Sequence, residues 1–433
     1  MSKFQIIIIG VLGAAGLVAV LMFMGVIPGF GKGGVRSGNE AKLTMWGPFS
    51  NEKVRTAISN INEENSGSFS ITYSEKKPET YKNELLNAMA SGNPPDIWFL
   101  SQDMVLEYKD KVQIIPFESF PERNFRDIFV DSSSLFINRK ENGIIALPYI
   151  IDPIVLYWNR DLFSSAGIAQ PPQYWNEFLS SVIVLTKFDG ANNIIQSGAS
   201  FGEFDNVKNA KDILSMMILQ TGSPLVEPET MNLVWEEKGN AAISPVENAV
   251  MFYNDFSNPK KTSYSWNRAL KNSNDMFAAG SLAMYFGYAS ELSSIKEKNP
   301  HLNFDVALVP QIKDGKIKAT FGRIYALAVS KTSHNQQAAF SAMTKLIDKS
   351  LNKGFSESLF LAPGRRDALT EGSPDPVLSV FYKAGIMARS WLEPNPQKVS
   401  DIFEIMIEST ATGKMRMSDA VRDATRGLEQ LLK

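Results

Sequence analysis

The sequence predicts a two-lobe α/β protein behind an N-terminal transmembrane helix. Three observations carry this. At 433 residues the chain is too long for one ordinary core. From Lys42 onward short apolar runs alternate with amphipathic helical stretches. The segment from Phe4 to about Ile27 holds no charged residue. Two lobes imply a cleft between them.

The uncharged segment is long enough to span a bilayer as a helix of ~20 residues. Leu21 to Met24 stays bulky and no small-residue cleavage end follows, which predicts an uncleaved signal anchor over residues 1–28. Pro28, Gly29, Gly31, Gly33 and Gly34 then read as a flexible linker over 29–40. Lys3 on one side faces Lys32 and Arg36 on the other, so charge does not set the orientation. A single N-terminal apolar segment works as an export signal, which places the bulk of the chain outside.

Strand Leu43–Trp46 comes first, followed by a helix with Val54, Ala57, Ile58 and Ile61 on one face and Ser50 as its expected cap. Strand Phe69–Tyr73, helix Tyr81–Ser91 with its stop at Gly92, and strand Asp96–Leu100 complete a β-α-β-α-β opening. In such sheets ligands sit beyond the carboxyl ends of strands, which draws attention to Trp46–Phe49 and Trp98–Asp103. Helical faces follow at Trp175–Val182, Ile213–Met217 and Val246–Tyr253. Strands are expected again at Leu282–Phe286, Phe304–Val309 and Tyr325–Val329, and a last helix carries Met417, Ala420, Val421, Ala424, Leu428 and Leu431 on one stripe.

Composition removes several function classes. Lys and Arg total 44 against 46 Asp and Glu, so no basic field for nucleic acid exists. The absence of cysteine excludes disulfides, thiolate catalysis, Cys-ligated zinc and a lipidated N-terminal cysteine. His301, in a turn after Pro300, and His334, in a polar helix start, are the only histidines, too few for a His-rich metal site or a Ser-His-Asp triad. Neither a metal nor a cofactor is expected.

The run Gly143–Asp152 (GIIALPYIID), then Leu156–Phe163 (LYWNRDLF), Ala166–Ile168 and Pro171–Phe178 (PPQYWNEF) resembles the hallmark of the family 1 extracellular solute-binding proteins, the maltose-binding-like group. Met89–Ile97, Phe277–Met284, Ala326–Ser333 and Leu361–Arg366 continue the resemblance in order, so it covers about Lys42 to Leu432. It implies a two-lobe periplasmic-binding-protein-like fold with a hinge of crossing strands. Lobe 1 is expected over 41–152 and 268–322, and lobe 2 over 153–267 and 323–433. Crossings are expected near Tyr149–Asp152, Trp266–Asn272 and Thr320–Tyr325. The resemblance further implies a monomeric receptor that hands a small solute to ABC permease subunits in the membrane. Relatives often carry a lipidated cysteine; here the apolar helix would anchor instead.

A sugar offers apolar faces and hydroxyl edges, so its site needs flat rings and bidentate polar groups on rigid lobes. The candidates are Trp46 and Phe49 after the first strand, Trp98 and Asp103 on and after the third, and Tyr149 and Asp152 at the first crossing. Phe201 comes from a Gly-flanked loop, Tyr288 from a strand end, Arg323 and Tyr325 from the third crossing, and Arg365 and Trp391 from late loops. Ordinary core packing is the competing reading for every ring. A two-carboxylate hydrolase using Asp103 with Asp152 has no motif to support it. An anchored sensory domain of the same fold is the other alternative.

Overall fold

The computed structural model describes residues 40–227, 229–237 and 243–433. The expected anchor at 1–28 and nearly all of the linker lie outside the described residues. Among the described residues no helix is long and apolar enough to cross a membrane.

The opening forms as its pattern dictates. Strand β1 (Ala41–Gly47), helix Asn51–Glu64, β2 (Phe69–Glu75), helix Pro78–Ala90 and β3 (Ile97–Ser101) follow one another, with β1 parallel to both neighbours. The first helix buries Val54, Ile58 and Ile61; Ser50 stands at its N-cap but makes no side-chain bond to it. Every residue of β3 is buried, as expected for a strand covered on both faces. Next, β4 (Ile115–Pro116), β5 (Ile137–Asn138) and β6 (Gly143–Ile144) form a small separate sheet in the order β4-β6-β5.

Strand β7 (Leu147–Asn159) is 13 residues long and decides the architecture. The later strands are β8 (Lys187–Phe188), β9 (Ile194–Ala199), β10 (Leu282–Tyr288), β11 (Phe304–Ala307), β12 (Thr320–Val329), β13 (Ala362–Pro363) and β14 (Ala388–Arg389). The first half of β7, through Pro153, pairs with β12, which pairs on its other side with β3. The second half, from Ile154, lies between β10 and β11. One strand therefore serves two sheets, β2-β1-β3-β12-β7 and β7-β10-β9-β8, and each sheet centres a lobe.

The partners of β7 assign the segments differently from the sequence expectation. Segment 268–322 was expected in lobe 1, yet Tyr285 pairs with Tyr157 and Val306 with Tyr157 from the other side, in the second sheet. Most of 323–390 joins the first sheet: Ala328 pairs with Trp98, β13 pairs with Ile150 and Ile151, and Asn352 Nδ2 donates to the Tyr149 carbonyl at 2.7 Å. Residues from 391 return to the second lobe, where Glu408 accepts from the Phe204 N–H at 2.9 Å and Thr425 accepts from Trp235 Nε1 at 3.0 Å. An apolar strand looks the same whichever sheet it enters, so the pattern alone could not sort these. The chain crosses at Asp152–Pro153, at the start of β12, and along 388–393, where β14 pairs with Thr320 and Phe321. Trp266–Asn272 is no crossing. It stays in the second lobe, with Trp266 Nε1 donating to Asn206 Oδ1 at 2.9 Å.

Candidate functional site

The three crossings converge on the floor of a cleft of about 640 Å³. One wall is built by the loop after β1 and the turn after β3, which present Phe49 and Asp103. The other is built by the end of β10 and the first turn of helix Ala210–Gln220, which present Tyr288, Lys211 and Asp212. Arg323 and Tyr325 of β12 and Asp152 of β7 stand between them.

Polar groups there form a chain. The Arg323 guanidinium lies over the Tyr288 ring, 3.8 Å from its centroid, and 3.6 Å from Asp212 Oδ2. The Tyr288 hydroxyl donates to the same oxygen at 2.5 Å. Lys211 Nζ bridges Asp212 Oδ1 at 2.8 Å and Glu393 Oε1 at 2.6 Å. Across the cleft Lys82 Nζ pairs with Asp103 Oδ2 at 2.9 Å, and the Ser101 hydroxyl donates to the other Asp103 oxygen. Asp152 Oδ1 accepts from the Ser290 N–H at 2.9 Å.

The carboxyls diverge accordingly. Burial pushes Asp152 up to about 6, with the Ser290 bond and Arg323 only partly opposing it. Burial likewise lifts Glu393 to about 7 against the pull of Lys211. Burial also acts on Asp103 and Asp212, but Lys82 and Ser101 hold the former, and Lys211 and Arg323 the latter, below the usual carboxylate range. Burial raises the Tyr325 hydroxyl to about 12. Two carboxylates thus stay ionised while two sit near neutrality, all within one cleft.

Of the residues singled out from sequence, the structure brings together Phe49, Asp103, Asp152, Tyr288, Arg323 and Tyr325. The other six lie elsewhere. Trp98 is fully buried in β3 against Tyr108, because both faces of that strand are covered. Tyr149 is fully buried between Phe99 and Phe355. Phe201 sits in the aromatic core of the second lobe with Phe178, Tyr253 and Phe286. Trp391 is buried on the third crossing. Arg365 pairs with Asp367 and the Ile347 carbonyl. Trp46 is half-buried under Lys76, whose Nζ is 3.9 Å from its ring, and faces a separate polar hollow beside Asp96. His301 and His334 are both exposed.

Sequence reasoning missed Lys211, Asp212, Gln102, Ser290 and Glu393. Lys211 and Asp212 had a signal: two opposite charges opening a helix whose remainder, ILSMMILQ, is almost wholly apolar. Gln102 had none, since it acts by accepting the Ile324 N–H at 2.8 Å from a strand far along the chain.

Two sheet-centred lobes joined by three crossings, with polar and aromatic side chains facing across the gap, define a two-lobed solute-binding architecture. Residues 51–350 match the model of the bacterial extracellular solute-binding protein family, and the chain belongs to that family. A protein of Brucella abortus (strain 2308) named as a binding protein is 22% identical over 97% of this chain and 98% of its own length. The fold is shared with the cyclic α-maltosyl-1,6-maltose binding protein of Arthrobacter globiformis, at 17% identity over 91% of this chain and all of that one, TM-score 0.75. It is also shared with the sugar-binding protein MalE of Xanthomonas citri, at 16% identity over 90% and 97%, TM-score 0.72. An ABC transporter solute-binding protein of Thermotoga lettingae bound with α-D-tagatose aligns at 18% identity over 91% and 100%, TM-score 0.66.

Proposed function

We propose that this protein is the extracytoplasmic receptor of an ABC importer, that it captures a carbohydrate in the cleft between its lobes and closes on it, and that its N-terminal helix anchors it to the membrane. The observation that carries the reading is the composition of the cleft. Phe49 and Tyr325 meet edge to face at 5.2 Å on one side, Tyr288 backs the other, and charged donors and acceptors alternate between them. Rings offer stacking surface to a sugar face, and fixed ionic groups bind hydroxyl edges more strongly than neutral ones. The family membership and the sugars bound by proteins of the same fold support the same class of ligand. Asp103 is held ionised by Lys82 as part of the wall, and binding rather than hydrolysis is the role proposed.

A thermal-shift screen of the protein against mono- and oligosaccharides, polyamines and organic phosphates tests this, because a ligand that binds only the native state raises its melting point. A saccharide response is expected. A response to polyamine or phosphate ester with none to any sugar would overturn the choice of ligand. The anchor and its orientation are checked by protease treatment of intact cells, where a membrane-retained, cleavable chain is the expected result.

A further inference from the structure

Lys211 stands in the second wall of the cleft with its side chain 16% exposed. An ammonium carries three donors. Among the described residues two carboxylate oxygens claim it, Asp212 Oδ1 and Glu393 Oε1, and the nearest ring, Phe321, is 5.9 Å away. One donor is left for whatever enters the cleft. Glu393 belongs to the third crossing and is 2% exposed, and its second oxygen has no partner among the described residues. Ser390 Oγ and Trp391 Nε1, on the same segment, also lack one. The ionic hold of this crossing on the second lobe therefore runs through Lys211. Burying such a triad costs desolvation that apolar packing would avoid, so its presence in a cleft wall points to a use beyond stability.

We propose that Lys211 is the specificity-determining donor of the cleft, giving its remaining N–H to an acceptor oxygen of the bound saccharide while Asp212 and Glu393 fix where that N–H points. This rests on the carbohydrate reading and adds the residue that selects within it. Glu393 is a positioning residue. Lys211 and Asp212 face it from the helix and Asp103 acts on it from the turn after β3, while Arg323 and Tyr288 stand behind Asp212. Because burial lifts the Glu393 carboxyl to about 7, its grip on the ammonium is complete only above that pH. Below it Glu393 gains a proton, its bond to Lys211 becomes a neutral one, and the ionic hold on the ammonium is left to Asp212. A donor ordered in advance binds more tightly, so the saccharide prefers the ionised state and acid weakens binding.

The test is calorimetric titration of the full-length chain with maltose, maltotetraose, mannobiose, mannotriose and D-tagatose, as wild type, Glu393→Gln and Lys211→Met. Wild-type affinity for whichever sugars bind is expected to fall about tenfold from about pH 8 to about pH 6. Glu393→Gln should bind about tenfold more weakly at the higher pH with a shallower profile, and Lys211→Met about ten- to a hundredfold more weakly. Should Lys211→Met fail to fold, since it strands two buried carboxylates, the Glu393→Gln profile decides. Equal affinities and equal pH slopes in wild type and Glu393→Gln overturn the assignment and leave the carbohydrate reading intact. No response of the wild type to any of these sugars removes that reading and this assignment together.

Discussion

Asp152 sits where the first crossing strand leaves one sheet for the other, and its surroundings make its charge a liability to the fold. Its carboxyl titrates at about 6 in the native protein, above the ~3.9 of an unfolded aspartate. The native state therefore holds a proton that the unfolded chain lacks between those values. The stability this brings is full below about pH 4 and lost as pH rises through 6. Asp152→Asn keeps an acceptor for the Ser290 N–H but cannot ionise. Relative to this variant, the wild type is expected to lose about 2 kcal/mol between about pH 4 and pH 7 in denaturant unfolding, and a constant difference would contradict the assignment. Asp96 has a richer set of partners: it accepts from the Thr44 N–H and hydroxyl and from Ser333 and Asn335, so its role is to pin three segments together. From sequence, these two aspartates differ only in their neighbours. Strand-end position pointed to Phe49 and Tyr288, which line the cleft, but equally to Trp98 and Tyr149, which do not, because it says nothing of what covers a strand. Lys211 and Glu393 meet across 182 residues, a distance that no local pattern encodes.

At the scale of elements, individual strands and helices were readable and their partners were not. The five elements of the opening and the stripe of the last helix, Met417–Leu432, with Ala420, Val421, Ala424 and Leu428 buried, follow from period and turn signals alone. The swap of 268–322 and 323–390 between lobes follows from pairing, which depends on the whole sheet. One close approach shows how tightly the crossings are packed. A Cβ on Gly322 of β12 would stand 2.8 Å from the Ala388 Cβ of β14. Gly322→Ala must therefore push apart two of the three segments that join the lobes. It is expected to lower stability by about 1–3 kcal/mol in denaturant unfolding. An unchanged midpoint would show that β14, a two-residue strand, yields without cost.

For the whole molecule, three crossings gathered on one side of a cleft permit rotation of one lobe against the other without breaking either core. On the function proposed above, a saccharide touching both walls would shift an open-closed equilibrium by its differential affinity for the two states alone. Because the chain has no cysteine, a pair introduced at Arg55 and Lys260, one exposed site on each lobe, can be labelled cleanly. Energy transfer between the labels is expected to change on saturation with a bound sugar, and no change at proven saturation would mean that the lobes do not move. The interleaving of the two lobes also sets a schedule for biosynthesis. β12 lies between β3 and β7 in the first sheet, yet the Ile324 N–H and its acceptor Gln102 Oε1 are 222 residues apart. At ~5–20 residues per second the ribosome needs on the order of ten to forty seconds to supply that missing central strand. Until then β3 and β7 lack the strand that lies between them, so the first sheet can be completed only late in synthesis.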